Sequence, residues 1–233
     1  FSRSLRHFPQ FHSNQLPDLF SGKALDLKQT TIFNLQKTTN SISGIYHSIQ
    51  GKDIFIDGSR TMDHRAQMLD ELEFFQGERV LDVGCNAGLL SMYLHGRGCR
   101  ATGVDNDPHI VSACKIVSNI LGKDINYSCV DLDRTNKLDE YDTIMLFSVL
   151  HHTRNVVENA EKVATSCSRI ILEARLVESG KQPYGNAWIE TSRWNFRTVE
   201  QLILYCEEIF PEFKLRANLG IADKNRYIFE LVK

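Results

Sequence analysis

The chain has six cysteines, Cys85, Cys99, Cys114, Cys129, Cys167 and Cys206, but no C-x-x-C pair among them. Most lie in or beside apolar runs, where cysteine behaves as a small hydrophobe. That scatter argues against a disulfide framework and a structural zinc site, so no metal is expected, and it suits a reducing compartment. No apolar run approaches the roughly 18 residues that a membrane-crossing helix needs. An excess of charge of either sign is also lacking. Twenty-seven Lys and Arg against 29 Asp and Glu leave a net charge of −2. Nothing global therefore attracts a nucleic acid or a membrane surface, and only a local patch could do so. Internal repeats and low-complexity tracts are absent.

Acidic residues are rarest at the start. No glutamate precedes Glu71, and the first seventeen residues hold Arg3, Arg6, several serines and no acid. That composition is like a transit peptide, but Pro9 and Pro17 interrupt the amphipathic helix such a peptide needs. The expected location is cytoplasmic. Because the chain opens on Phe1 rather than methionine, it reads as a processed, truncated or excised segment.

Against this background one stretch stands out: Val80-Leu81-Asp82-Val83-Gly84-Cys85-Asn86-Ala87-Gly88-Leu89-Leu90-Ser91. An apolar strand runs through a glycine turn into a helix. A second apolar run, Ala101 to Val104, ends in Asp105, 21 residues after Gly84. Strand, small-residue turn, helix and carboxylate-tipped strand are the βαβ grammar of a nucleoside-binding sheet. The backbone can approach a ligand at the glycines, and the acid can accept hydrogen bonds from two ribose hydroxyls. The turn departs from the dinucleotide fingerprint, however. Counting from Gly84, the third and sixth positions are Asn86 and Leu89, where a pyrophosphate and close helix packing would require glycine.

The string Val-Leu-Asp-Val-Gly-Cys-Asn-Ala-Gly resembles motif I of the class I S-adenosylmethionine-dependent methyltransferases. Their ligand carries no phosphate, so its site needs acceptors for an ammonium and for hydroxyls rather than an anion cradle. The resemblance implies a Rossmann-like methyltransferase fold with S-adenosyl-L-methionine as cofactor. It places Asp82, Gly84, Cys85, Asn86, Gly88, Asp105 and Asn106 around that cofactor. It also makes Asp131 the acceptor for the adenine amino group, with Leu132 packing on the ring, and brings Phe147 and Ser148 to the methionine half. Read from the residues alone, Asp131 can equally cap a turn. The run from Asp57-Gly58-Ser59-Arg60 to Leu146-Phe147-Ser148-Val149-Leu150-His151-His152 is similar to a branch with two kinds of member. One kind is the bacterial tRNA wobble-uridine carboxymethyl-transferring enzymes, and the other methylates sugars and lipopolysaccharide ends. In that branch an upstream basic residue contacts the cofactor carboxylate, which points to Arg60.

Residues 1–75 read as an extension, mainly helical, and 76–233 as the cofactor-binding domain. Helical spacing marks 24–38 and 61–75. Beyond Arg79, strands are expected at 79–84, 100–105, 125–130, 141–147 and 168–174, with helices at 88–96, 107–121, 156–165 and 198–209. Asp107 is placed to cap the second of these helices, with Pro108 in its first turn. Thr198 and Gln201 form a capping box for the last. A terminal hairpin at 212–217 and 225–232 completes seven strands. The alternation specifies an α/β, doubly wound, mostly parallel sheet covered on both faces.

Two further constellations bear on the acceptor. An alcohol or phenol must lose a proton as it is methylated, and a histidine titrating near neutrality can take it. His151 and His152 follow the fourth strand, at the carboxyl ends where ligands of such sheets sit. Base and loop scaffold are both open roles for each. Residues 176–197 hold Tyr184, Trp188 and Trp194, a polar loop containing both tryptophans of the chain. These aromatics suit an acceptor pocket, and equally a loop pinned to the core. The expected reaction is methyl transfer to an oxygen of a small molecule or glycan. The alternatives are RNA modification, which the charge does not indicate, and a non-catalytic S-adenosylmethionine-binding subunit.

Overall fold

The computed structural model describes residues 45–47, 49–50, 55–56, 58–60, 62–177 and 196–233. Before the main sheet come two short strand pairs. Ile45–His47 lies parallel to Gly58–Arg60, and Ile49–Gln50 lies antiparallel to Phe55–Ile56. The described part of the extension before Met62 is thus extended rather than helical. Its Ile, Tyr and Phe, spaced among polar residues, suit a pleated ribbon better than a helix face. The expected helix at 24–38 falls outside the described residues. The one expected at 61–75 is present but shorter: α1 spans Asp63–Leu69.

The main sheet has seven strands: β1 (Arg79–Val83), β2 (Arg100–Asp105), β3 (Asn126–Cys129), β4 (Thr143–Phe147), β5 (Arg169–Arg175), β6 (Lys214–Asp223) and β7 (Arg226–Val232). The remaining helices are α2 (Leu89–Gly96), α3 (Pro108–Ile120), α4 (Val156–Ala164) and α5 (Val199–Ile209). The spatial order is β6-β7-β5-β4-β1-β2-β3. Strands β1 to β5 pair in parallel, and β7 runs antiparallel between β5 and β6. The order reverses at β1, with β2 on one side and β4 on the other. The crevice above their carboxyl ends is where open α/β sheets place ligands.

Side-chain alternation along the strands builds two cores. Leu81 and Val83 of β1, Ile144 and Leu146 of β4, and Ile170 and Leu172 of β5 pack with α4 and α5. Val80, Met145 and Ile171 point the other way, against α1 and α2. The same alternation sends Asp82 and Glu173 to the α1/α2 face, where each carboxylate meets a partner. Helix ends follow local chemistry. Asp107 accepts the His109 N–H at 2.7 Å at the start of α3, and Asn155 and Thr198 cap α4 and α5.

Candidate functional site

The turn after β1 is tied to the end of β2. Gly84 and Cys85 both donate their N–H to the Val104 carbonyl, at 2.8 and 3.0 Å. Asn86 donates its N–H to an Asp105 carboxylate oxygen at 3.1 Å, and Asp107 N–H reaches the other oxygen at 3.1 Å. Each oxygen keeps a second lone pair, so the carboxylate can still accept two hydroxyl hydrogens. Burial raises the Asp105 pKa, and the backbone N–H groups oppose that rise.

The turn is built from left-handed residues. Gly84 has φ +70°, Asn86 +48° and Gly88 +73°. A Cβ on Gly84 would come within 2.6 Å of Val149 Cγ2, and one on Gly88 within 2.6 Å of the Tyr127 hydroxyl. The turn therefore sits hard against the loop after β4 on one side and against β3 on the other. Cys85 turns its thiol inward, 3.9 Å from that of Cys114, so only its backbone faces the crevice. Asn106 follows Asp105 and is exposed.

Asp82 lies below the turn, 2% exposed, and accepts a hydrogen bond from Ser91 Oγ at 2.6 Å. Burial pushes its pKa up to about 7, against the lowering effect of Ser91. A buried acid poised there gains from a nearby cation, which would hold it ionised. Asp105 with spare acceptor capacity and Asp82 with its raised pKa make an acceptor set suited to hydroxyls and an ammonium. That is the chemistry of S-adenosylmethionine, and no phosphate is called for.

After β3, Asp131 Oδ1 accepts the Asp133 N–H at 3.0 Å, and Oδ2 lies 3.3 Å from Arg134 Nε. Asp131 thus closes its own turn while half-exposed. Leu132 is buried in the core shared with α4 and α5. Asp133, which sequence reasoning passed over, accepts the Arg154 N–H at 3.0 Å and Asn159 Nδ2 at 2.7 Å. It joins the loop after β3 to the loop after β4.

That second loop starts at Phe147, half-buried against the α1/α2 core, and Ser148, whose φ is +58°. The 3₁₀ turn Leu150–His152 follows. The two histidine rings lie 4.1 Å apart between centroids. His151 is 2% exposed, whereas His152 reaches the surface. Burial drives the His151 pKa down to about 2, with His152, Arg175 and Arg226 adding to the effect. His152 is also shifted down, by desolvation first and by Arg175 and Arg226 second. Both rings are neutral at pH 7, and His152 is the one a solvent-borne acceptor can reach.

Arg60 lies in the strand Gly58–Arg60, its backbone paired beside His47. Upstream of β1, Arg65 of α1 reaches the sheet. Its Nε donates to Glu173 Oε2 at 2.5 Å, and its Nη2 lies 3.8 Å from Asp223. The signal for this cluster was present in β5, where Glu173 and Arg175 fall on alternate positions of a buried strand. Tyr184, Trp188 and Trp194 lie outside the described residues. Among those described, no group of His, Cys, Asp and Glu is arranged to hold a metal ion. None of the described helices is long and apolar enough to cross a membrane.

Residues 81–173 match the family described as a methyltransferase domain. A ubiquinone biosynthesis O-methyltransferase from Coxiella burnetii is 27% identical over 147 residues, which is 63% of this chain and 57% of that protein. The chain thus spans little more than half the length of the curated relatives it matches. Two solved structures share the fold. The N-terminal domain of EvdMO1, crystallised with S-adenosylhomocysteine, has a TM-score of 0.60 at 14% identity, covering 91% of this chain and 96% of that one. Magnesium protoporphyrin IX methyltransferase from Synechocystis PCC 6803, with S-adenosylmethionine bound, has a TM-score of 0.54 at 16% identity, covering 97% of this chain and 88% of that one.

Proposed function

We propose that this chain, whose residues 81–173 match a methyltransferase domain, is a class I methyltransferase that transfers the methyl group of S-adenosylmethionine to an oxygen of a small molecule. The observation that carries the reading is His152, an exposed, neutral imidazole on the loop that packs against the cofactor turn. A hydroxyl acceptor must shed its proton, and a neutral imidazole at the crevice mouth can take it. Residues 1–75 would serve as an extension of the cofactor-binding domain at 76–233.

When bound, the cofactor supplies a methyl group already activated by its positive sulfur. The protein's work is then to bind, align and deprotonate. Asp105 would receive the ribose hydroxyls, and Asp82 the amino group, directly or through water. Gly84, Cys85, Asn86, Gly88 and Asn106 would line the turn with backbone, while Asp131 and Leu132 would border the adenine and Phe147 and Ser148 the methionine half. Arg60 would neutralise the carboxylate. Tyr184, Trp188 and Trp194 would line the acceptor pocket. Alignment supplies most of the rate, because it removes the entropy of bringing the partners together. Proton removal by His152 would add on the order of 10²–10⁴-fold. His151, buried and held neutral, would support the turn that carries His152.

The curated relatives, named as O-methyltransferases of ubiquinone biosynthesis, favour a small-molecule oxygen over a glycan or RNA. The net charge of −2 gives RNA no general attraction. The test is incubation with methyl-labelled S-adenosylmethionine and three acceptor classes: phenols, glycans and tRNA. Label is expected on the phenol as an ether. Label on RNA that falls steeply with salt would support base modification instead. Cofactor binding without transfer to any class would support the non-catalytic subunit.

A further inference from the structure

We propose that Glu173, neutralised by Arg65 of α1, is a positioning residue: it holds Ser148 in its left-handed conformation and so aims the loop that carries His151 and His152. The inference rests on the methyl-transfer reading for the reaction it serves. Its geometry stands on β5 itself. Strand alternation points Glu173 into the α1/α2 core beside Ile171, with its side chain 1% exposed. A carboxylate there is costly to desolvate, and an apolar residue of similar volume is usually at least as stabilising. Stability alone therefore gives a poor account of an acid at this position.

What the carboxylate does is grip. Ser148 Oγ donates to Glu173 Oε1 at 2.5 Å, and Ser148 N–H donates to the Glu173 carbonyl at 2.9 Å. Arg65 Nε holds Oε2 at 2.5 Å, and Arg226 Nη1 lies 3.4 Å from Oε1. Ser148 has φ +58°, a conformation that a non-glycine residue keeps only where its surroundings over-determine it. Its hydroxyl is held by the Glu173 carboxylate, and its N–H continues the strand ladder onto the backbone of the same residue.

The consequence reaches both halves of the crevice. Immediately after Ser148 comes Val149, whose side chain fills the space a Gly84 Cβ would need. Next, His152 N–H closes onto the Val149 carbonyl at 2.8 Å, and Thr153 N–H onto that of Leu150 at 3.1 Å. The far end of the loop is pinned separately, by Asp133 to the Arg154 N–H. Glu173 is the anchor of the near end, and Arg65 links it to a helix that precedes the family-matched residues.

The test is amide hydrogen exchange of the full chain, without ligand, in wild type, Glu173→Gln, Ser148→Ala, Arg65→Gln and the Glu173→Gln/Ser148→Ala pair. Glu173→Gln is expected to speed exchange across 149–153 at least tenfold while β1 and β2 stay within about twofold of wild type. Ser148→Ala should act in the same sense, and the double variant should be no faster than Glu173→Gln alone. Uniform acceleration over every strand would overturn the proposal, since Glu173 would then only hold the fold together. An unchanged loop would overturn it too. Should Glu173→Gln fail to fold, Ser148→Ala and Arg65→Gln decide by the same readout. In turnover, the anchoring variant should lose kcat with little change in acceptor KM. Wild type that fails to bind S-adenosylhomocysteine would overturn the cofactor reading, and with it the reaction Glu173 serves, whatever the loop shows.

Discussion

The carboxylate of Asp105 accepts the backbone N–H of Asn86 at 3.1 Å, so the end of β2 is stitched to the turn that follows β1. One side chain thereby shapes the turn and faces the crevice. Both tasks use lone pairs of the same two oxygens, and a substitution there disturbs both.

Asp105→Ala is therefore expected to weaken S-adenosylhomocysteine binding by about 10–100-fold. Hydrogen bonds to a charged group are worth about 1.5–3 kcal/mol, and water recovers part of that in the variant. Asp105→Asn should fall between, because it keeps an acceptor for one backbone N–H. Titration calorimetry reads the difference. Wild-type affinity in Asp105→Ala would mean that β2 does not end at the ribose.

Asp82 makes the site sensitive to pH in a stated direction. Its pKa is raised by burial to about 7 in the folded chain, above its unfolded value of 3.8. The stability it confers on the ligand-free protein is thus complete below pH about 4 and lost as pH rises through about 7. Asp82→Asn should flatten that part of the stability–pH curve. A ligand ammonium would favour the carboxylate, so binding near pH 6 should release a proton. Calorimetry in buffers of different ionisation enthalpy measures it, and binding with no proton release would place the ammonium elsewhere.

The two histidines should separate in kinetics. Because His151 is held neutral down to about pH 2 by burial, the acid limb of the pH–rate profile should belong to His152. It should lie below the ordinary histidine range, since Arg175 and Arg226 and desolvation shift His152 down. His152→Ala should lower kcat by about 10²–10⁴-fold, abolish that limb and leave cofactor affinity within about threefold. An unaltered limb in His152→Ala would leave both histidines as scaffold.

Much of this arrangement was legible in the residues themselves. The βαβ unit from Arg79 to Asp105 is marked by apolar runs, turn glycines and caps that agree with one another, and it forms as expected. Strand β6 was harder. It extends to Asp223, well beyond 217, because an edge strand is half solvated and its Arg216, Asn218 and Gly220 read as loop. Helix α1 stops at Leu69 although the apolar spacing continues to Phe75, which is 60% exposed. Arg65 and Glu173 are partners 108 positions apart, and only the sheet order brings them together. Periodicity places a side chain on a face, but it does not say which distant helix covers that face.

Gly84 offers a check on the packing of the crevice. Gly84→Ala puts a Cβ at φ +70° and 2.6 Å from Val149 Cγ2. The backbone conformation alone costs about 1–3 kcal/mol, and the clash adds to it. Val149→Ala should relieve the clash but not the strain, so the double variant should regain only part of the lost stability in urea unfolding. Full additivity of the two substitutions would show that Val149 does not press on the turn.

The cofactor assignment is the centre of the account, and thermal unfolding with added nucleosides tests it most directly. S-adenosylhomocysteine at 100 times its dissociation constant should stabilise the chain by about 2.7 kcal/mol, or roughly 5–10 °C in Tm for a domain of this size. NADH at equal concentration should leave Tm unmoved, since Asn86 and Leu89 stand where a pyrophosphate turn needs glycine. A flat response to saturating S-adenosylhomocysteine, or a larger shift with NADH, would contradict the account.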